Sequence, residues 1–285
     1  MSIRRVGIVG SGIMGAGIAE TVAKAGFEVV LRSRRQQTAD ATLAGLEKSL
    51  AKQAERGKLS EEDRSVTLSR VSVTTDLVEL AGVDLVIESV VEDLAAKKHL
   101  FGELDRTMGP SAIIATNTST LPVVELAMET SRPGSVCGIH FFNPAPAMSL
   151  VEIVRPLTAS DETIGAARDF ATACGKEPVE VKDQAGFIVN HLLFPYLNNA
   201  VRLLEQGVAS REDIDVAMKG GCNFPMGPFS LLDLVGLDTS VAILDALYDE
   251  FRDPHYAAVP LLRRMVTAGR LGRKSGQGFY NYRKT

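Results

Sequence analysis

Short apolar runs take turns with longer helical stretches along the N-terminal part of the chain. RVGIVG (5–10) predicts a strand, and a small-residue helix follows it from Ile13 to Ala25. FEVVLRS (27–33) predicts a second strand, followed by a polar helix from about Thr38 to Arg56. VSVTTD (71–76) and VDLVIESV (83–90) add strands, and a helix covers roughly Leu94–Met108. SAIIATNTS (111–119), SVCGIHFF (135–142) and MSLVEIVR (148–155) continue the pattern. Strands separated by helices of this length predict βαβ units and a mostly parallel sheet. Near-continuous apolar runs such as DLVIESV fit strands covered on both faces. After Asp183 the period becomes helical throughout, in AGFIVNHLLFPYLNNAVRLLEQG, REDIDVAMKGG, PMGPFSLLDLVGLDTSVAILDALYDEF and PLLRRMVTAGRLG. A short break falls at Ala209–Ser210, and Gly207, Gly221 and Gly236 read as helix ends or turns. The expected architecture is an α/β sheet domain over residues 1–184 and an all-helical domain over residues 185–285. No fixed-period repeat, low-complexity tract or heptad pattern is evident.

The first strand breaks into Gly10-Ser11-Gly12-Ile13-Met14-Gly15, a G-x-G-x-x-G turn that follows a strand and opens a helix. Glycines punctuate many turns, so the context carries the reading, and here it is the context of a Rossmann-type dinucleotide site. Gly10 permits the tight turn, Gly12 admits a pyrophosphate to the backbone, and Gly15 lets helix and strand pack closely. The helix N-terminus adds unpaired N–H groups and partial positive charge.

An NAD site normally ends its second strand with a carboxylate for the ribose hydroxyls, about 20 residues beyond the glycines. That place reads Leu31-Arg32-Ser33-Arg34-Arg35, three arginines around a serine with no acid. A guanidinium pairs a phosphate through two parallel hydrogen bonds, so Arg32, Ser33 and Arg34 point to the 2′-phosphate of NADP(H). The competing reading is a solvated basic run beside a site that takes NAD(H).

Three later stretches hold polar groups among apolar neighbours: ATNTST with Asn117 and Ser119, GIHFFNP with His140 and Asn143, and LVEIV with Glu152. A carboxylate is expensive to bury unpaired, so Glu152 calls for a partner, and His140 in the neighbouring strand is the candidate. The pair would orient an imidazole for proton transfer. A histidine beside Phe141 and Phe142 can equally be a satisfied core residue; Glu152 and the nearby cofactor turn weigh against that. Ser, His and Glu together also suggest a hydrolase. Ser119 lacks the G-x-S-x-G elbow, however, and the glycine turn would then go unused.

A net charge of −4 argues against general binding to nucleic acid or anionic membrane, which needs a cationic face. No window approaches the roughly 20 apolar residues of a membrane span. MSIRRVGIVG shows no export signal, so the cytoplasm is the expected compartment. Cys137, Cys174 and Cys222 are odd in number and far apart, which suits neither a disulfide framework nor a thiolate metal site; no metal is expected.

The blocks GSGIMGAGIAE, SVVEDLAAKK, NTST, GIHFFNPAPAMSLVEIV, DQAGFIVNHLLFPYLNNAVRLLEQG, PMGPFSLLDLVGLD and GRKSGQGFYNY run in order over nearly the whole chain. Together they resemble the 3-hydroxyacyl-CoA dehydrogenases, in particular the single-function bacterial type acting on 3-hydroxybutyryl-CoA. The resemblance implies that His140 is the catalytic histidine and Glu152 its orienting partner. It implies that Ser119 and Asn190 hold the reacting oxygen and the thioester. Glu92, Lys97, Asn117, Asn143 and Lys274 fall where the family contacts its cofactor. Ser49 and Arg56 fall on the long helix that helps grip CoA. Homodimerisation through the helical domain is implied as well. Two positions depart from the family pattern: Ser33 stands where an Asp is usual, and His191 follows Asn190 where Arg is frequent. No role is assigned to His191. The expected reaction is reversible hydride transfer between NADP(H) and a short 3-ketoacyl or (S)-3-hydroxyacyl thioester. Open alternatives are the same chemistry on an acyl-carrier-protein thioester and a catalytically silent dinucleotide-binding relative. Acyl chain length is not readable.

Overall fold

The computed structural model describes residues 3–283; Met1, Ser2, Lys284 and Thr285, where the expected domains begin and end, lie outside the described residues. Two compact units divide the chain, Met1–Asp183 and Gln184–Thr285.

In the first unit β1 (Arg5–Val9), α1 (Ile13–Lys24), β2 (Glu28–Arg32), α2 (Gln36–Glu55), α3 (Glu61–Ser69) and β3 (Val71–Thr74) come first. They are followed by β4 (Leu85–Glu88), α4 (Leu94–Thr107), β5 (Ile113–Thr116), α5 (Val123–Ala127), β6 (Val136–Phe141), β7 (Leu150–Arg155), α6 (Asp161–Ala173) and β8 (Glu177–Lys182). The strands form one sheet in the order β3-β2-β1-β4-β5-β6-β7-β8. Chain order reverses between β1 and β4, and in open α/β sheets ligands bind beyond the carboxyl ends of the strands at such a point. β4, β5 and β6 are buried along their whole length, as their apolar runs require. Val6, Ile8, Ile87, Ile139 and Ile153 share a core with Ile18, Val22 and Phe170 of the covering helices. Each aliphatic side chain buried in this way is worth roughly 1.5–3 kcal/mol.

Every pairing is parallel except β6 with β7. The connection between those two strands, residues 142–149, is too short for a crossover, which needs a dozen residues or more. β7 therefore folds back, and the antiparallel register sets His140 directly opposite Glu152. β8 is the polar edge, EPVEVK, with Pro178 and three charges that discourage further pairing.

A buried cation holds the β6–β7 turn from inside. Lys176 Nζ donates to the Ala145 carbonyl at 2.8 Å and to the Met148 carbonyl at 2.7 Å. Burial pushes its pKa below the ordinary 10.5. The unfolded chain then binds this proton more tightly than the folded one, so stability rises with pH through the window that ends near 10.5. Lys176→Met strands both carbonyls and is expected to cost about 1–3 kcal/mol for each left without a donor. In urea unfolding, the gap between wild type and variant should widen as pH is raised toward that value.

The second unit is built from α7 (Val189–Glu205), α8 (Arg211–Cys222), α9 (Pro228–Val235), α10 (Leu237–Phe251) and α11 (Pro260–Thr267). Phe194, Leu197, Val201, Phe229, Leu232 and Leu244 form its core. The Ser210 side chain caps α8 by accepting from Asp213 N, which accounts for the break there. Gly207 and Gly236 have the positive φ expected of turns, +69° and +106°. Gly221 does not end α8: it lies in the last turn, and Asn223 supplies the left-handed cap at φ +56°. Asparagine tolerates that conformation, so the helix runs past both its glycines. Among the described residues no helix is long and apolar enough to cross a membrane.

Candidate active site

The three glycines of the first turn are required for different reasons. A Cβ on Gly10 would lie 2.2 Å from the Ser89 carbonyl oxygen, and φ there is +119°; a Cβ on Gly15 would lie 1.8 Å from the Gly10 carbonyl oxygen. Packing of the chain itself therefore demands Gly10 and Gly15. A Cβ on Gly12 would meet nothing within 4 Å. Gly12 is also the N-cap of α1, and no side chain caps that helix or places an acid in its first turn. Ile13 is 80% exposed, so this end of the helix is open to solvent. Residues 10–15 thus fit the pyrophosphate of a nicotinamide dinucleotide, which needs close backbone approach and unpaired donors.

Beside the turn, Ser33 is buried and receives a hydrogen bond from Ser11 Oγ at 2.8 Å, while its N–H donates to the Thr74 carbonyl. Arg34 is exposed. Arg32 commits its Nε–H to the Thr75 carbonyl at 3.2 Å, and Arg35, the N-cap residue of α2, is exposed alongside Arg34.

His140, 3% exposed at the end of β6, is held on both ring nitrogens. Nδ1 lies 2.7 Å from Glu152 Oε2, and Nε2 lies 3.1 Å from Ser119 Oγ. A carboxylate can only accept, so Nδ1 carries a proton and Nε2 is the nitrogen left to exchange one. Phe142 packs against the ring, with centroids 4.6 Å apart. Glu152 is fully buried, and its pairing meets the requirement that a buried charge have a partner. The arrangement can deliver or withdraw a proton at one fixed point beside a hydroxyl.

The segment that carries Ser119 is anchored by two further carboxylates. Glu88, at the end of β4 and fully buried, accepts from Lys97 Nζ at 2.7 and 2.9 Å, from Thr116 Oγ1 at 2.7 Å and from Val90 N at 2.6 Å. Lys97 also reaches Glu92 Oε2 at 3.2 Å. Glu92 Oε1 accepts from the Thr118 hydroxyl and from Ser119 N, the latter at 2.9 Å. Nothing in the sequence alone singles out Glu88, Thr116 or Thr118. The available signal is Lys97, which shares the buried face of α4 with Leu100, Phe101 and Leu104. A lysine on an apolar helix face calls for buried acceptors, of which a carboxylate is the strongest.

The first unit therefore brings together His140, Glu152, Ser119, Glu92 and Lys97. Asn117 joins them from the end of β5, with Oδ1 accepting from Phe141 N at 2.8 Å, so its carbonyl oxygen ties β5 to β6. Asn143 is exposed at the start of the β6–β7 connection. Ser49, on α2, gives its hydroxyl to the buried Glu20 at 2.8 Å. Arg56 is the exposed C-cap residue of that helix, one residue past its end. In the second unit Asn190 is buried in the first turn of α7, and Lys274 Nζ is paired with Asp238 at 2.6 Å. His191 packs edge-on to Phe251, and its Nε2 lies 3.0 Å from Tyr256 Oη, a packing role within the helical unit. Cys137 and Cys174 are buried, which pushes both thiols up to about 12 and leaves them unreactive. Among the described residues no cluster suits a metal ion.

Comparison with known proteins places the whole chain in one family. Residues 5–184 match the model of the 3-hydroxyacyl-CoA dehydrogenase NAD binding domain, and residues 186–282 match that of the C-terminal domain. A 3-hydroxybutyryl-CoA dehydrogenase of Mycobacterium tuberculosis is 47% identical over 283 residues, covering 99% of each chain. One from Clostridioides difficile is 46% identical over 280 residues, 98% of this chain and all of that one. The crystal structure of the (S)-3-hydroxybutyryl-CoA dehydrogenase of Ralstonia eutropha superposes with a TM-score of 0.97 at 43% identity, covering 99% of this chain and 100% of that one.

Proposed function

The chain belongs to the 3-hydroxyacyl-CoA dehydrogenase family, and on that premise we propose that it interconverts 3-ketoacyl-CoA and (S)-3-hydroxyacyl-CoA, with acetoacetyl-CoA and 3-hydroxybutyryl-CoA as its pair. The observation that carries this reading is His140, fixed by Glu152 on one nitrogen and opposed by Ser119 on the other. A nicotinamide dinucleotide bound at the glycine turn supplies hydride in reduction and takes it up in oxidation.

In reduction, His140 gives its Nε2 proton to the oxygen of the 3-keto group as that carbon is reduced. In oxidation, neutral His140 removes the hydroxyl proton through the same nitrogen. Glu152 accepts from Nδ1–H throughout, which fixes the tautomer and the plane of the ring. Ser119 supplies a preorganised hydrogen bond to the same substrate oxygen, and Asn190 is assigned to the thioester end of the substrate. Ser49 and Arg56 are assigned to CoA. Glu92, Lys97, Asn117, Asn143 and Lys274 are assigned to shaping or contacting the cofactor site.

The absence of an acid at the end of β2, together with buried Ser33 and exposed Arg34, supports NADP(H) over NAD(H). An NADP(H) enzyme suits a reductive, biosynthetic direction. Association of two copies through the helical unit, which the family resemblance implies, would cover apolar side chains exposed there, Leu192, Leu203, Val208 and Val216 among them.

The test is a matrix of NADH and NADPH against acetoacetyl-CoA, longer 3-ketoacyl-CoAs and an acetoacetyl-carrier-protein thioester, read by absorbance of the reduced nicotinamide. Fastest turnover is expected with NADPH and acetoacetyl-CoA. A carrier-protein thioester outrunning every CoA thioester would reassign the substrate. Tight cofactor binding without oxidation by any thioester would remove the enzymatic reading.

A further inference from the structure

Glu88 touches neither His140 nor Ser119, yet the hydrogen bonds that start from it end on the Ser119 backbone. Its carboxylate is fully buried and makes four hydrogen bonds. A single cation, Lys97, bridges it to Glu92. Glu92 then holds Ser119 N and the Thr118 hydroxyl on the oxygen that Lys97 does not use. Thr116 closes the circuit from the other side: its hydroxyl donates to Glu88 and accepts from Thr118 N at 3.1 Å. The hydroxyls of Thr116 and Thr118 are thus tied to carboxylates, the first to Glu88 and the second to Glu92. The side chains of Asn117 and Ser119, at the alternate positions, meet β6 instead.

We propose that Glu88 and Lys97 form a buried anchor that positions Ser119 against His140 by way of Glu92, which makes Glu88 a positioning residue of the reaction. The inference rests on the dehydrogenase reading for its kinetic consequence, and on the hydrogen bonds alone for its structural one. An ion pair this deeply buried is weak evidence of stability, since apolar residues of similar volume often do as well. Four directed hydrogen bonds on one carboxylate specify geometry instead. Without Glu88, Lys97 turns wholly to Glu92, and the oxygen that holds Ser119 N shifts with it.

The discriminating experiment is a double-mutant cycle between Glu88→Gln and Ser119→Ala. Glu88→Gln is expected to lower kcat about tenfold and to raise cofactor Kd, from fluorescence titration, by a much smaller factor, since Glu92 and Lys97 are also assigned to the cofactor site. In the Ser119→Ala background the same change should cost little, because residues acting through one another do not contribute additively. Losses that multiply, or a cofactor Kd that rises in step with the fall in kcat, would overturn the proposal. If Glu88→Gln does not fold, the charge-neutral pair Glu88→Gln with Lys97→Met, which buries no lone charge, is taken through the same cycle. Coupling to Ser119→Ala then supports the anchor, and multiplying losses overturn it. Amide hydrogen exchange gives a reading that needs no turnover. Ser119 N–H should exchange about tenfold faster in the folded variant than in wild type, the scale of one lost hydrogen bond. Unchanged exchange would sink the anchor even in an active enzyme, whereas an inactive wild type with the expected exchange would fault the dehydrogenase reading alone.

Discussion

His140→Gln is expected to lower turnover of acetoacetyl-CoA by about 10²–10⁴, the range that positioned proton transfer contributes. Glutamine can still hydrogen-bond Glu152 and Ser119, but its amide nitrogen cannot give up a proton and take it back. The glycine turn lies on β1 and α1, away from the altered strand, so cofactor Kd by fluorescence titration should stay at its wild-type value. That split separates a catalytic role from a packing role. A core histidine replaced by glutamine would lower the unfolding midpoint and leave turnover of the folded fraction near normal. Turnover within a few-fold of wild type would show that another group moves the proton.

The second large effect is expected at the end of β2. Arg34→Ala should weaken NADPH about tenfold or more and leave NADH nearly unchanged, since a hydrogen bond to a charged group is worth about 1.5–3 kcal/mol. The arginine is exposed, so the folded chain loses little by its removal. Dissociation constants for both reduced cofactors, measured at one salt concentration, decide the matter. An equal loss for the two would mean that Arg34 adds only general positive potential, and the preference for a 2′-phosphate would fall with it.

Much of this architecture is legible in the residues. The glycine turn is readable because strand, turn and helix each obey their own rule at residues 5–20. His140 and Glu152 are readable as a pair because a lone acid in LVEIV has to be answered by something. The reversal of β7 is not part of the expectation drawn from the sequence, which has both strands continue the pattern; it follows once the fold shows that residues 142–149 leave no room for a crossover. Other parts are hidden for physical reasons. β8 is a polar edge with a proline, and its alternation, Val179-Glu180-Val181-Lys182, is too short to stand out. α3 and α5 are short, and in α5 the first N–H groups, of Val123 and Val124, bond to the distant Asp183. Burial raises the pKa of that carboxyl, although both N–H groups pull the other way. Glu88 reads as the polar end of an ordinary strand, and only the fold shows that Lys97 is buried against it. Ser49 and Lys274, assigned by resemblance, hold partners of their own in Glu20 and Asp238. Such partnering depends on tertiary geometry that no spacing along the chain encodes.

The ladder between β6 and β7 fixes the imidazole and its acid in register, and the residues that join those strands take no part in that register. Phe142 packs on the imidazole and Asn143 is assigned to the cofactor, so the interchangeable cassette is the remainder, residues 144–149, whose side chains can be rewritten without disturbing the strands beneath it. Exchanges that spare the two carbonyls clasped by Lys176 are the ones that keep the cassette seated. Variation of a connecting segment over an unchanged His140–Glu152 pair is the freedom that one antiparallel fold-back confers on an otherwise parallel sheet.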